Sequence, residues 1–91
     1  MEITEVRVKL YGDERLKAFV NVIFDDAFIV RGVKVIDGPK GLFVSMPSRP
    51  RADGTYQDIC HPLNGSMRDS IETAILRGYE KLAVPIQPKQ V

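Results

Sequence analysis

Three sets of residues in this 91-residue chain have types and spacing that could do chemistry: adjacent Cys60 and His61, adjacent Asp25 and Asp26, and the cations Arg49, Arg51, Arg77 and Lys81. A cysteine beside a histidine invites a thiolate nucleophile and its base, but neighbours on an extended segment point to opposite sides and cannot easily share a proton. The simpler reading makes Cys60 a small buried hydrophobe. His61, held extended before Pro62, then bonds a backbone carbonyl. A zinc site needs about four ligands, and one cysteine with one histidine does not supply them. Asp25 and Asp26 have no partner motif and read as the polar end of a turn between strands. Gly38-Pro-Lys-Gly41 is too short for a phosphate loop and lacks the Gly-Lys-Ser/Thr ending. No convergent acid, base, nucleophile or metal set emerges, so neither an enzyme nor a cofactor or metal is expected.

Positive charge in particular places is what remains. In "MPSRPRADG", Met46 to Gly54, Arg49 and Arg51 have no acid nearer in sequence than Asp53. The prolines hold the segment extended, so less entropy is lost when a partner fixes it, and the planar guanidinium fork suits phosphate oxygens. The segment is expected to lie outside the core and outside regular structure. Further on, Arg77 and Lys81 are four apart on a helical pattern, a like-charge spacing that costs a helix slightly. They share a polar side with Ser70 and Thr73. Glu80, three residues after Arg77, can partly neutralise the pair, in which case the face is merely solvated. Arg68 has Glu72 four residues on and can be engaged by it.

Composition limits what such patches can mean. Thirteen lysines and arginines against twelve acids give a net charge of +1, so no overall basic field attracts nucleic acid or anionic lipid. Any such attraction must be local. With 44% apolar and 27% charged residues the chain has an ordinary globular balance and is sized for one small domain, here placed at residues 1–84. The lone cysteine excludes an intrachain disulfide and fits a reducing, cytoplasmic setting. "MEITEV" is unlike a signal peptide, and no apolar run approaches the ~20 residues of a membrane span.

The elements that must position these residues are legible from period. Val6, Val8 and Leu10 alternate with Glu5, Arg7 and Lys9, as a half-buried strand requires. Leu16, Ala18, Val20, Val22 and Phe24 alternate along a second strand with Phe19 and Ile23 on its reverse face. Phe28 to Ile36 and Gly41 to Met46 form a third and a fourth, separated by Asp37-Gly38-Pro39. Thr55 to Cys60 is expected to return antiparallel to the fourth through an Asp53-Gly54 turn. The period then changes. From a cap at Asn64 or Ser66, the residues Met67, Ile71, Ala74, Ile75, Gly78 and Leu82 form an apolar stripe of about 100°, with Leu76 and Tyr79 at its margin. The expectation is an α+β fold: an antiparallel sheet of about five strands with one C-terminal amphipathic helix packed on it. Pro85 and Pro88 end the helical pattern, leaving residues 85–91 as a flexible tail.

Read together, "VIDGPKGLFVSMPSRP" (Val35 to Pro50), "DGTYQDICHPLN" (Asp53 to Asn64) and the opening "MEITEVRV" resemble the stage V sporulation protein G (SpoVG) family, over about residues 1 to 82. The sequence departs from the family pattern at Pro50, which separates basic residues, and at Cys60, where a smaller residue is usual. The resemblance implies a dimeric bacterial cytoplasmic regulator that binds DNA and RNA and is associated with septation during sporulation. It also implies that nucleic-acid contacts fall on Arg49, Arg51, Arg68, Arg77 and Lys81; the polar side of the helix adds Ser70 and Thr73 as supporting polar groups. Sheet-edge pairing between two copies would satisfy exposed backbone groups and enlarge a small core, giving a homodimer that presents each patch twice. The competing expectation is a protein-interaction module acting on septum or division proteins, through an apolar patch or a sheet edge rather than arginines.

Overall fold

Period-two alternation becomes strand pairing over the first half of the chain. The computed structural model describes residues 1–83; the expected tail, 85–91, and the expected domain boundary at 84 lie outside the described residues. β1 (Ile3–Leu10), β2 (Leu16–Phe24), β3 (Phe28–Gly38) and β4 (Gly41–Ser45) form an antiparallel sheet in the order β1-β2-β3-β4. Each strand neighbours the one before it, as short connections dictate. Ala18, Val20, Val22 and Phe24 of β2 and Val33 and Val35 of β3 are buried on one face, joined by Val44 of β4 and by Met46. β3 carries an extra residue where Val20–Val33 gives way to Val22–Val30, so Arg31 and Gly32 together oppose Asn21.

Helix α1 (Gly65–Ala83) covers that face. Asn64 caps it: its Oδ1 accepts from the Met67 amide at 2.8 Å, satisfying one of the orphan donors of the first turn. Of the two candidate caps, Asn64 therefore serves, while the Ser66 carbonyl accepts from the Ser70 hydroxyl at 3.1 Å. Ile71 and Ile75 are the buried centre of the stripe, with Met67, Leu76 and Tyr79 packed around them. Leu82 belongs to the stripe by spacing but is 45% exposed, near the end of the helix.

The fifth strand departs from expectation. Tyr56–Asp58 is a strand, β6, but it does not return along β4. It pairs instead with β5 (Ser48–Pro50), which lies inside the segment expected to have no regular structure. The sheet therefore has four strands, with a separate two-stranded ribbon beyond it. The physical reason is the Arg51–Gly54 turn, which folds the chain back on the residues immediately before it, the shortest loop closure available.

Candidate nucleic-acid interface

The ribbon is built to project. It pairs Ser48 with Asp58, Arg49 with Gln57 and Pro50 with Tyr56, and neither strand packs on another element of the fold. Its two ends are tied by backbone bonds from Ile59 N to Pro47 O at 2.7 Å and from Arg51 N to Thr55 O at 2.6 Å. Antiparallel ladders alternate bonded and non-bonded pairs, so Arg49–Gln57 falls on a bonded position and Pro50–Tyr56 on a non-bonded one. Pro50, which has no N–H to give, thus occupies a slot that asks for none. That explains how the ribbon accommodates a proline between two arginines.

At the tip, the Gly54 amide donates to the Arg51 carbonyl at 3.1 Å and Gly54 takes φ +91°, a left-handed conformation natural only to glycine. Asp53 locks the turn. Its Oδ1 accepts from the Thr55 hydroxyl at 2.6 Å and from the Thr55 amide at 3.0 Å. Those bonds favour the ionised form and hold the Asp53 carboxyl below its ordinary value, the hydroxyl contributing most.

This arrangement decides the fate of the two arginines. Side chains two apart on an extended ladder share a face, so Arg49 and Arg51 lie with Gln57 and Thr55, while Asp58 falls on the other face with Ser48, Pro50 and Tyr56. The nearest acid in sequence, Asp53, is occupied by Thr55. Both arginines are exposed, and among the described residues neither has a carboxylate within 4.0 Å. The ion pairs found there are Arg7–Glu5 at 2.7 Å and Arg68–Glu72 at 3.8 Å.

The helix candidates divide. Ser70, Thr73 and Arg77 line one groove between α1 and the start of β1, shared with Glu2 and Asp69. Arg77 and Lys81 line the next one, against Val6 and Val8. Arg77 and Lys81 are exposed, and Glu80 forms no ion pair with Arg77. The Ser70 hydroxyl is spent on the Ser66 carbonyl. Arg68 is tied to Glu72, and at 3.6 residues per turn it stands about half a turn away from Arg77. The expected set is thus not one cluster. Arg49 and Arg51 form one group on the ribbon, Arg77 and Lys81 a second beside β1, and Arg68 stands apart.

Cys60 and His61 meet no proton-transfer geometry. Cys60 is half-buried rather than fully buried, and the His61 Nδ1 bonds the Pro62 carbonyl at 2.9 Å. Both line a cavity of about 150 Å³ walled by Val22, Phe24, Val30, Met46 and Ile71 among others. It is smaller than the 300 Å³ or more that small-molecule sites usually occupy. Asp25 and Asp26 form the turn between β2 and β3, as expected: Asp25 Oδ1 accepts from the Glu2 amide and the Asp26 amide donates to Thr4 Oγ1, each at 2.9 Å. No helix among the described residues is long and apolar enough to cross a membrane.

Both arginines lie outside the core, as expected, but Arg49 sits in a strand, β5, where no regular structure was expected. The Asp53-Gly54 turn pair was the one signal of a hairpin here, and the strands that it joins are only three residues each.

Known proteins share this chain's pattern along nearly all of the described residues. Residues 1–81 match the SpoVG family model. The chain is 52% identical over 81 residues to a protein of Anaeromyxobacter sp. (strain Fw109-5) named "Putative septation protein SpoVG", a match covering 89% of this chain and 84% of that protein. Proteins of the same name in Clostridium beijerinckii and Bdellovibrio bacteriovorus are 49% identical over 82 residues and 51% identical over 81. Each match covers 89% of this chain, and they cover 90% and 75% of those two proteins. Because the family match takes in the sheet, the arginine ribbon and nearly all of α1, this chain belongs to the SpoVG family.

Proposed function

We propose that this protein is a non-enzymatic regulator that binds DNA and RNA as a homodimer, gripping phosphate backbone with Arg49 and Arg51, and that it acts in gene expression and in septation during sporulation. The observation that carries this reading is the ribbon itself: two exposed guanidinium groups on one face of a projecting, proline-stiffened hairpin whose carboxylates are either occupied or turned away. Arg77 and Lys81 add a second set of phosphate contacts beside β1, with Thr73 as a polar neighbour. Ser70 and Arg68 contribute less, because each already has a partner.

A net charge of +1 gives little long-range steering, so affinity depends on local contacts presented twice. Edge pairing of two sheets supplies that duplication, since β1 and β4 each have one side unpaired in the sheet. A gel-shift titration of the purified protein with mixed DNA and RNA fragments across a salt series tests the reading. Affinity is expected to fall linearly on a log–log plot against salt, with each engaged phosphate contributing about 0.7 to 0.9 to the slope. Absence of binding at low salt overturns it.

A second reading draws on the apolar groups on the ribbon and just after it. Tyr56 is 70% exposed, Ile59 62% and Leu63 91%. Exposed apolar side chains so close in sequence suit a protein partner at the septum. Binding of that kind is insensitive to salt, and the same titration separates the two.

A further inference from the structure

The face of the sheet that α1 leaves uncovered carries an ordered set of side chains. One row runs in register across all four strands: Lys9, Phe19, Lys34 and Ser45. Beside it, Arg7 opposes Asn21, which on its other side meets the bulged pair Arg31 and Gly32. On the far side of the row, Ile36 pairs with Phe43. Period two puts these residues opposite the buried Ala18, Val20, Val22 and Val35.

Two aromatic rings sit among the cations. Phe19, flanked by Lys9 and Lys34, is half-buried and meets Tyr11 edge-on with ring centroids 5.5 Å apart. Phe43 is 46% exposed, and its ring lies against Gly38, where a Cβ would stand 2.8 Å from Cε1. That glycine lets the ring lie against the strand.

The charge on this face is one-sided. Arg7, Lys9, Arg31 and Lys34 stand against Glu5, which the register places opposite Ile23 and which Arg7 holds at 2.7 Å. A second copy docked here by a two-fold axis would bring cations against cations with few carboxylates to answer them. A polyanion meets no such opposition.

We propose that this open sheet face is a stacking platform for single-stranded nucleic acid, on which Phe19 and Phe43 take bases while Lys9, Arg31 and Lys34, which no carboxylate of the described residues pairs, neutralise the adjoining phosphates. The proposal rests on the nucleic-acid reading above and adds the strand class. A duplex hides its base faces in its own stack, whereas a single strand offers every base to a ring. Phosphate contact at the ribbon does not discriminate between the two forms, and stacking on the sheet does.

Phe43→Trp and Phe43→Ala variants test this. The chain has no tryptophan, so an indole at position 43 is a unique reporter, and the exposure of Phe43 makes both variants compatible with folding. Titrating Phe43→Trp with oligo(U) and oligo(dT) is expected to quench its fluorescence. In anisotropy measurements, Phe43→Ala is expected to bind the same oligomers roughly tenfold more weakly, with affinity for a duplex of equal length unchanged. An Arg49→Ala/Arg51→Ala variant should instead weaken single-strand and duplex binding together. If wild type binds oligo(U) or oligo(dT) but the indole is not quenched and Phe43→Ala binds as tightly, the sheet-face proposal is overturned and the ribbon reading stands. If Phe43→Ala leaves single-strand affinity intact and shifts the protein from dimer to monomer, a second copy occupies the face and the proposal is likewise overturned. If wild type binds neither form at low salt, the nucleic-acid reading fails and this inference fails with it.

Discussion

Asp25 and Asp26 both adopt left-handed backbone, with φ of +52° and +51°. Two consecutive positive φ values are what a type I′ turn requires, here closed by the Ala27 amide on the Phe24 carbonyl at 2.9 Å, and its preferred pair is Asp-Gly or Asn-Gly rather than Asp-Asp. Asp25 supports its place by accepting from the Glu2 amide, whereas Asp26 uses only its backbone N–H, toward Thr4. Asp26→Gly is therefore expected to raise stability by about 0.5–1 kcal/mol, because it relieves side-chain crowding without removing a bond. Urea unfolding would check this, and a fall in the midpoint would show that the Asp26 carboxylate has a role its geometry does not disclose. At this scale much was legible in the sequence. The turn role of the aspartates follows from residue type, and the separation of Cys60 from His61 chemistry follows from adjacency on extended chain. Half-burial of Cys60 was not legible, because it depends on how the chain from Ile59 to Pro62 passes the start of α1.

At the scale of elements, the first four strands and the helix follow from periodicity, since eight to eleven residues of alternation in β1, β2 and β3 leave one consistent pairing. The ribbon was hidden because each of its strands has three residues, Ser48–Pro50 and Tyr56–Asp58. Three residues carry no periodicity, and a proline in the middle of "SRPR" argues against a strand until the bonding parity is known. What holds so short a ribbon is its turn, and there the Asp53 carboxylate gives a testable pH dependence. Its bonds from Thr55 place the folded-state pKa below the ordinary aspartate value of 3.8, which the unfolded chain retains. The stabilisation is therefore complete above 3.8 and is lost as pH falls through the lower, folded value. In an NMR titration the Thr55 amide should hold its position from neutral pH down to the ordinary aspartate value and move only below it. In Asp53→Asn the movement should vanish; a wild-type midpoint at or above 3.8 would mean the turn does not depend on this carboxylate.

For the whole molecule, the proposed function raises the question of how a nearly neutral protein would hold a polyanion. The sheet buries its apolar face under a single helix, and among the described residues nothing covers its edges or its reverse face, which is a small core for a chain of this length. The proposed dimerisation by edge pairing would answer both the marginal core and the low net charge. Sedimentation equilibrium at micromolar concentration should accordingly report twice the 10.2 kDa chain mass; a well-folded monomer would count against it. Two copies would bring four ribbon arginines into play. The decisive experiment is the salt dependence of DNA affinity for wild type beside Arg49→Ala/Arg51→Ala, with melting temperatures measured on both. If the ribbon grips phosphate, the double variant binds more weakly and its log–log salt slope flattens by roughly 2 to 4, while its melting temperature stays at the wild-type value. Equal affinity and equal slope in the two proteins would contradict phosphate binding by these arginines.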